Sequence, residues 1–166
     1  MQKQKTQYPT ITVIKSSAGF TFIEMMAVLG IFAVISTLVI INFKSFNERR
    51  ILEGQADIIA SIIREAKTKT VSGKGGYQYG VHIASTSVTL FRSAVYDPAT
   101  TTNVVTNLHS IVQIGTTTLN GGGNDIVFSK IKGTTAQHGT TSVNLISSQA
   151  EYKDILIKQG GIVEVR

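Results

Sequence analysis

Ser17-Ala18-Gly19-Phe20-Thr21-Phe22-Ile23-Glu24 leads without a break into the uncharged run Met25–Phe43, MMAVLGIFAVISTLVIINF. That run is close to the ~20 residues a helix needs to span a bilayer. Ser36 and Thr37 are tolerated inside it, because their hydroxyls hydrogen-bond back to the helix backbone. Gly30 permits close approach of a neighbouring helix. Lys3, Lys5 and Lys15 precede the run with no acid among them, whereas Lys44, Arg49 and Arg50 follow it mixed with Glu48 and Glu53. The cleaner positive flank is the first, which places the N-terminus in the cytoplasm.

Three readings of this segment compete. A cleaved secretory signal peptide has a shorter apolar region ending in small residues, whereas this run passes into Asn42-Phe43-Lys44-Ser45-Phe46. An ordinary single-pass anchor explains the apolar run but not Glu24. A carboxylate at the edge of a membrane helix is costly and usually functional. The third reading supplies its partner. If the chain is cut between Gly19 and Phe20, the new α-amine of Phe20, with a reference pKa of about 7.7–8.0, is cationic. It can then pair with Glu24 of a neighbouring subunit, offsetting the desolvation of both charges and fixing register.

In this order the basic leader, Gly19, Phe20, Thr21, Glu24 and the uncharged run resemble the prepilin signature of type IV pilins and type II secretion pseudopilins. The resemblance implies that a prepilin peptidase cleaves after Gly19 and N-methylates Phe20. It further implies that Glu24 serves assembly with other pilin or pseudopilin subunits on an inner-membrane platform. The leader is longer than the shortest of this family and contains Tyr8-Pro9. Many major pilins carry a helix-bending proline deep in the apolar run; here that region reads Val39-Ile40-Ile41-Asn42, so no proline kinks it.

Past the apolar run, Leu52, Ala56, Ile59, Ile63 and Ala66 repeat at spacings of four and three, the buried stripe of an amphipathic helix. Gly54 interrupts it at about 1 kcal/mol, and Gly73 with Gly75 and Gly76 stops it. The helix from Phe20 to about Ser72 would be on the order of 80 Å long. Beyond it, strands are expected at Tyr77–Ile83, Val88–Tyr96, His109–Ile114, Asp125–Ile131 and Val143–Ile146. A closing hairpin joins Lys153–Lys158 to Ile162–Arg166 around Gln159-Gly160-Gly161. Asp97-Pro98 opens what reads as a polar, Thr-rich loop.

The expected fold is therefore α+β: a long N-terminal helix, membrane-spanning in its first half, packed on a mainly antiparallel sheet. Its expected divisions are a cytoplasmic leader over 1–19, a membrane or filament-core helix over 20–43, an amphipathic continuation over 44–72 and an extracytoplasmic β domain over 73–166. Tyr79-Gly80-Val81, Val88-Thr89-Leu90-Phe91 and the closing hairpin resemble the H-type minor pseudopilins and related minor pilins. That resemblance implies a single-pass inner-membrane protein that later enters an extracytoplasmic filament.

Composition narrows the chemistry. The chain has no cysteine, which excludes disulfides and thiolate sites. Its net charge is +6, and removing the three leader lysines leaves 13 basic against 10 acidic residues, weak grounds for nucleic-acid binding. The alternative is a filament-tip or competence subunit that binds DNA or a secreted protein; a basic surface stripe would favour DNA, and the sequence shows none. His82, His109 and His138 lack metal-type spacing. Asp97 and Asp125 offer one acid per loop, too few for a calcium site without further ligands. Gly121-Gly122-Gly123 has no following Lys-Ser/Thr and is a turn, not a phosphate loop. No nucleophile, base and orienter assemble, so no cofactor, metal or catalytic role is expected.

Overall fold

The computed structural model describes residues 19–166, with side chains at all of them except 38–43 and 74. The leader before Gly19 lies outside the described residues. One α-helix, α1 (Phe22–Val71), is followed by a short 3-10 turn (Lys74–Gly76) and eight strands. The strands are β1 (Gly80–Ile83), β2 (Ser87–Phe91), β3 (Val104–Asn107), β4 (Val112–Leu119), β5 (Asp125–Val127), β6 (Gly139–Leu145), β7 (Ser148–Ile157) and β8 (Val163–Val165). The chain divides into two compact units, Met1–Ile41 and Asn42–Arg166.

Helix α1 ends where the sequence demands. Gly73 takes the left-handed conformation (φ 63°, ψ 21°), which costs a glycine nothing. The Ser72 amide donates to Thr68 O at 2.9 Å and the Gly73 amide to Thr70 O at 3.2 Å, so the last turn closes on itself.

In the second unit the expected stripe is the core face of α1. Ala56, Ile59, Ile63 and Ala66 are fully buried and Leu52 nearly so. They share one core with Val81, Val88 and Ile126 on one side and Val112, Val143 and Ile155 on the other. Each large aliphatic side chain buried this way is worth about 1.5–3 kcal/mol. Gly54, by contrast, is exposed and open on its Cβ side.

The expected single sheet is two four-stranded sheets, ordered β3-β2-β1-β5 and β4-β6-β7-β8. Every pairing is antiparallel. The α+β class stands, but several strand limits shift. The first strand begins at Gly80, not Tyr77, because the Tyr79 amide donates to Thr70 Oγ1 of α1 at 2.9 Å and so leaves the ladder. The second stops at Phe91; Tyr96 instead stacks on His82 with ring centroids 4.0 Å apart. The Thr-rich loop hides strand β3, an edge strand with Val104 and Val105 exposed. His109 lies before β4 rather than in it, with its amide on Gln55 Oε1 of α1 at 3.1 Å. Strand β5 ends at Val127, and the chain then turns back on itself: the Ser129 amide donates to Thr134 O at 2.8 Å and the Gly133 amide to Ser129 O at 3.0 Å, with Ile131 at φ 72°, outside the strand region. Strand β6 starts four residues earlier than Val143, at Gly139.

The closing hairpin forms with Ile155 opposite Val165 and Ile157 opposite Val163. Lys158 and Glu164 pair beside its turn, and that hydrogen bond chiefly holds the Glu164 carboxyl below its ordinary pKa. Arg64 of α1 donates to Val163 O at 2.9 Å and Lys67 to Gly160 O at 3.0 Å. The helix is thus tied to the hairpin by polar contacts as well as by core packing.

Candidate assembly site at the head of the first helix

Gly19, Phe20 and Thr21 precede α1 in non-helical conformation, and all three are exposed. The peptide bond between Gly19 and Phe20 is thus accessible. Thr21 is the N-cap. Its carbonyl accepts the first helical bond from Met25 N at 3.2 Å, and its Oγ1 accepts the Glu24 amide at 3.3 Å. Thr21-Phe22-Ile23-Glu24 is the Thr-x-x-Glu pattern of a capping box. That signal was present in the sequence, yet the reading of the segment left Thr21 without a structural role.

Glu24 is the acid of the first turn, where the helix dipole favours a negative charge. Its carboxylate is exposed and has no ion-pair partner among the described residues. Five other glutamates do have one: Glu48, Glu53, Glu65, Glu151 and Glu164 pair with Lys44, Lys153, Lys69, Arg49 and Lys158.

From Met25 to Ile35 the helix carries no charge and is exposed on every side. Phe22 is 82% exposed and Phe32 69%, and residues 22–35 are all exposed. Ser36 and Thr37 return their hydroxyls to Phe32 O at 2.7 Å and Ala33 O at 3.0 Å, as expected of polar residues inside an apolar helix. Nothing stands within 4 Å of where a Cβ on Gly30 would be. Among the described residues no helix is long and apolar enough to cross a membrane. The expected span Met25–Phe43 runs past Thr37 into 38–43, whose side chains lie outside the described residues.

The other residues singled out from sequence serve the β domain. His82 Nδ1 meets Asp125 Oδ1 at 2.6 Å, bridging β1 and β5, and His138 Nδ1 lies 3.1 Å from Ala136 O. Asp97 accepts the Ala99 amide at 2.9 Å and the Thr100 hydroxyl at 3.3 Å, a local turn. The three histidines do not converge, and among the described residues no three His, Cys, Asp or Glu side chains gather as a metal site would require.

A family model described as the prokaryotic N-terminal methylation motif matches residues 14–40. No curated protein matches the sequence. Two crystal structures of the type IV minor pilin FimU from Pseudomonas aeruginosa PAO1 share the fold. One gives a TM-score of 0.54 at 11% identity, over 69% of this chain and 92% of that one. The other gives 0.55 at 12% identity, over 73% and 92%.

Proposed function

The methylation motif at its head and the minor-pilin fold behind it together support the type IV pilin and pseudopilin family, and from that premise we propose that this chain is a minor filament subunit. It is made with its N-terminus in the cytoplasm and a single apolar helix in the inner membrane. A prepilin peptidase removes the leader after Gly19 and methylates the Phe20 amine. The subunit then passes through an assembly platform into a type IV pilus or type II secretion pseudopilus. Its role is structural, not enzymatic.

One observation carries this reading: an apolar helical surface exposed on every side from Phe22 to Ile35, with one carboxylate, Glu24, in its first turn that has no ion-pair partner among the described residues. Left in water, that surface forgoes about 25 cal/mol for each Å² of apolar area. Lipid recovers it before assembly, and a bundle of like helices recovers it afterwards. The lone carboxylate is then the group that needs a cation, and a neighbour's Phe20 amine supplies one.

Intact-mass measurement of the protein from membrane and filament fractions tests this. The expected species begins at Phe20 and carries one added methyl group. A mature chain starting at any other residue overturns it.

A further inference from the structure

We propose that a groove on the solvent face of the β4-β6-β7-β8 sheet binds a neutral, hydroxyl-rich ligand, a glycan. The groove encloses about 440 Å³ and crosses three strands. Gln113, Asn144 and Tyr152 stand opposite one another in register on β4, β6 and β7. Val112 and Val143, their chain neighbours, point into the core, so this row faces the other way.

Two irregularities shape it. On β4, Gly115 and Thr116 together oppose the single residue Ser142, since Ile114 pairs Val143 and Thr117 pairs Thr141. On β7 the register slips between Tyr152 and Ser148, which sets Gln149 at the rim. Bulges of this kind re-aim side chains and recur beside binding sites.

The floor of the groove holds a polar atom that no described residue satisfies. Asn144 is 5% exposed. Its Nδ2 donates to Leu145 O at 3.2 Å, which fixes which side-chain atom is the oxygen. Its Oδ1 is buried with no hydrogen-bond partner among the described residues. A buried acceptor left so costs about 1–3 kcal/mol, and a hydroxyl donor admitted past the groove lining would remove that cost. Gly115 lies directly against it: a Cβ there would stand 2.6 Å from Asn144 Oδ1.

The lining selects the ligand. Among the described residues no charged side chain lines the groove; the acid beside it, Asp154, accepts the hydroxyl of the lining residue Ser142 at 2.7 Å. The amides of Gln113, Asn144 and Gln149 each offer both donors and acceptors, the complement of sugar hydroxyls. Tyr152, 57% exposed, presents a ring whose apolar face suits the C–H face of a pyranose. A peptide adding as a strand would instead use a sheet edge, not this face.

The test uses the full chain, isotopically labelled, in phosphocholine micelles free of sugar detergents. Maltohexaose, cellohexaose and chitohexaose are titrated to about 10 mM, a range that captures millimolar affinity. Saturable shifts of the Gln113, Asn144 and Gln149 side-chain amides are expected with at least one of them. Tyr152→Ala, at an exposed position, should weaken that binding about tenfold or more through loss of the ring face. Gly115→Ser, which fills the space over Asn144, should abolish it. No shift with any hexaose overturns the proposal. So do shifts unaffected by Tyr152→Ala, or saturable shifts with a neutral Gly-Ser-Asn-Thr peptide in place of the sugars.

Discussion

Glu24 and Thr21 close the first turn of α1 on each other: the Glu24 amide donates to the Thr21 hydroxyl oxygen at 3.3 Å. The acid proposed to receive a neighbour's amine is thereby the third helical residue, fixed to the residue that follows Phe20. The cap sets how the chain leaves the helix, and so sets where a Phe20 amine would stand relative to the Glu24 carboxylate of its own chain. An amine held at the start of one helix can meet a carboxylate on another only if both first turns are formed.

Thr21→Ala should therefore fray the first turn, at about 1 kcal/mol for loss of an N-cap side chain. Thr21→Ser should behave as wild type. Hydrogen exchange of the Glu24 and Met25 amides in micelles reads this directly. Faster exchange in Thr21→Ala, normal exchange in Thr21→Ser, and a parallel fall in filament incorporation are expected. Equal exchange rates in all three chains would remove Thr21 from the account.

The core stripe Leu52–Ala66, the Gly73 stop and the closing hairpin were all legible in the sequence, because each rests on a local pattern: a helical period, a left-handed glycine and a Gly-Gly turn between apolar strands. Strand β3 was not, since Val104-Val105-Thr106-Asn107 is a short edge strand whose place is set by its partner Val88-Thr89-Leu90 and not by alternation of its own. The division into two sheets was hidden for the same reason. Strand β5 returns to β1 after β4 has joined the other sheet, a long-range choice that no local pattern records. At the head of the helix, Gly19, Phe20 and Glu24 stood out by residue type, whereas the cap at Thr21 needed its spacing to Glu24 to be read. The groove around Asn144 had no sequence signal, because a bulge and two cross-strand registers build it.

Gly80 is a packing position as well as part of the Tyr79-Gly80-Val81 strand. It pairs with Phe91 across β1 and β2, and a Cβ on it would stand 2.4 Å from the Phe91 ring. Phe91 is 1% exposed, and the backbone oxygen of Ile126 would stand 2.9 Å from the same Cβ. Gly80→Ala should cost about 1–3 kcal/mol by overpacking. Adding Phe91→Leu should recover part of that loss, because the smaller side chain vacates the space. Denaturant unfolding of the two single variants and the double variant measures the coupling. Strict additivity would show that the ring contact is not the cause.

A chain beginning at Asn47 should be soluble and folded. It lacks the exposed apolar surface from Phe20 to Ile35 but keeps the buried stripe from Leu52 to Ala66. It also keeps the Arg49–Glu151 and Glu53–Lys153 pairs at 2.7 and 3.2 Å, though exposed pairs of this kind add little. Circular dichroism should report sheet as well as helix, and thermal unfolding should be cooperative. Aggregation without a sheet signal would show that the second unit depends on residues before Asn47.

Replacing Glu24 separates insertion from assembly. Glu24→Ala removes a carboxylate that is costly beside lipid, so membrane insertion should be unchanged or easier. Leader removal should persist, because the peptide bond after Gly19 is untouched and exposed. Incorporation into filaments should fall by about tenfold or more, since a buried amine left without its carboxylate is strongly destabilising. Glu24→Gln keeps the size and most of the hydrogen-bonding capacity but not the charge, and should fail in the same way. Glu24→Asp keeps the charge on a shorter arm, and should retain part of the function. The measurement is the ratio of filament-bound to membrane-bound protein, taken with and without wild-type subunits. A membrane anchor that does not assemble predicts no difference among the variants. Normal incorporation of both Glu24→Ala and Glu24→Gln would leave the unpaired carboxylate without the role assigned to it, while cleavage at Gly19 could still stand.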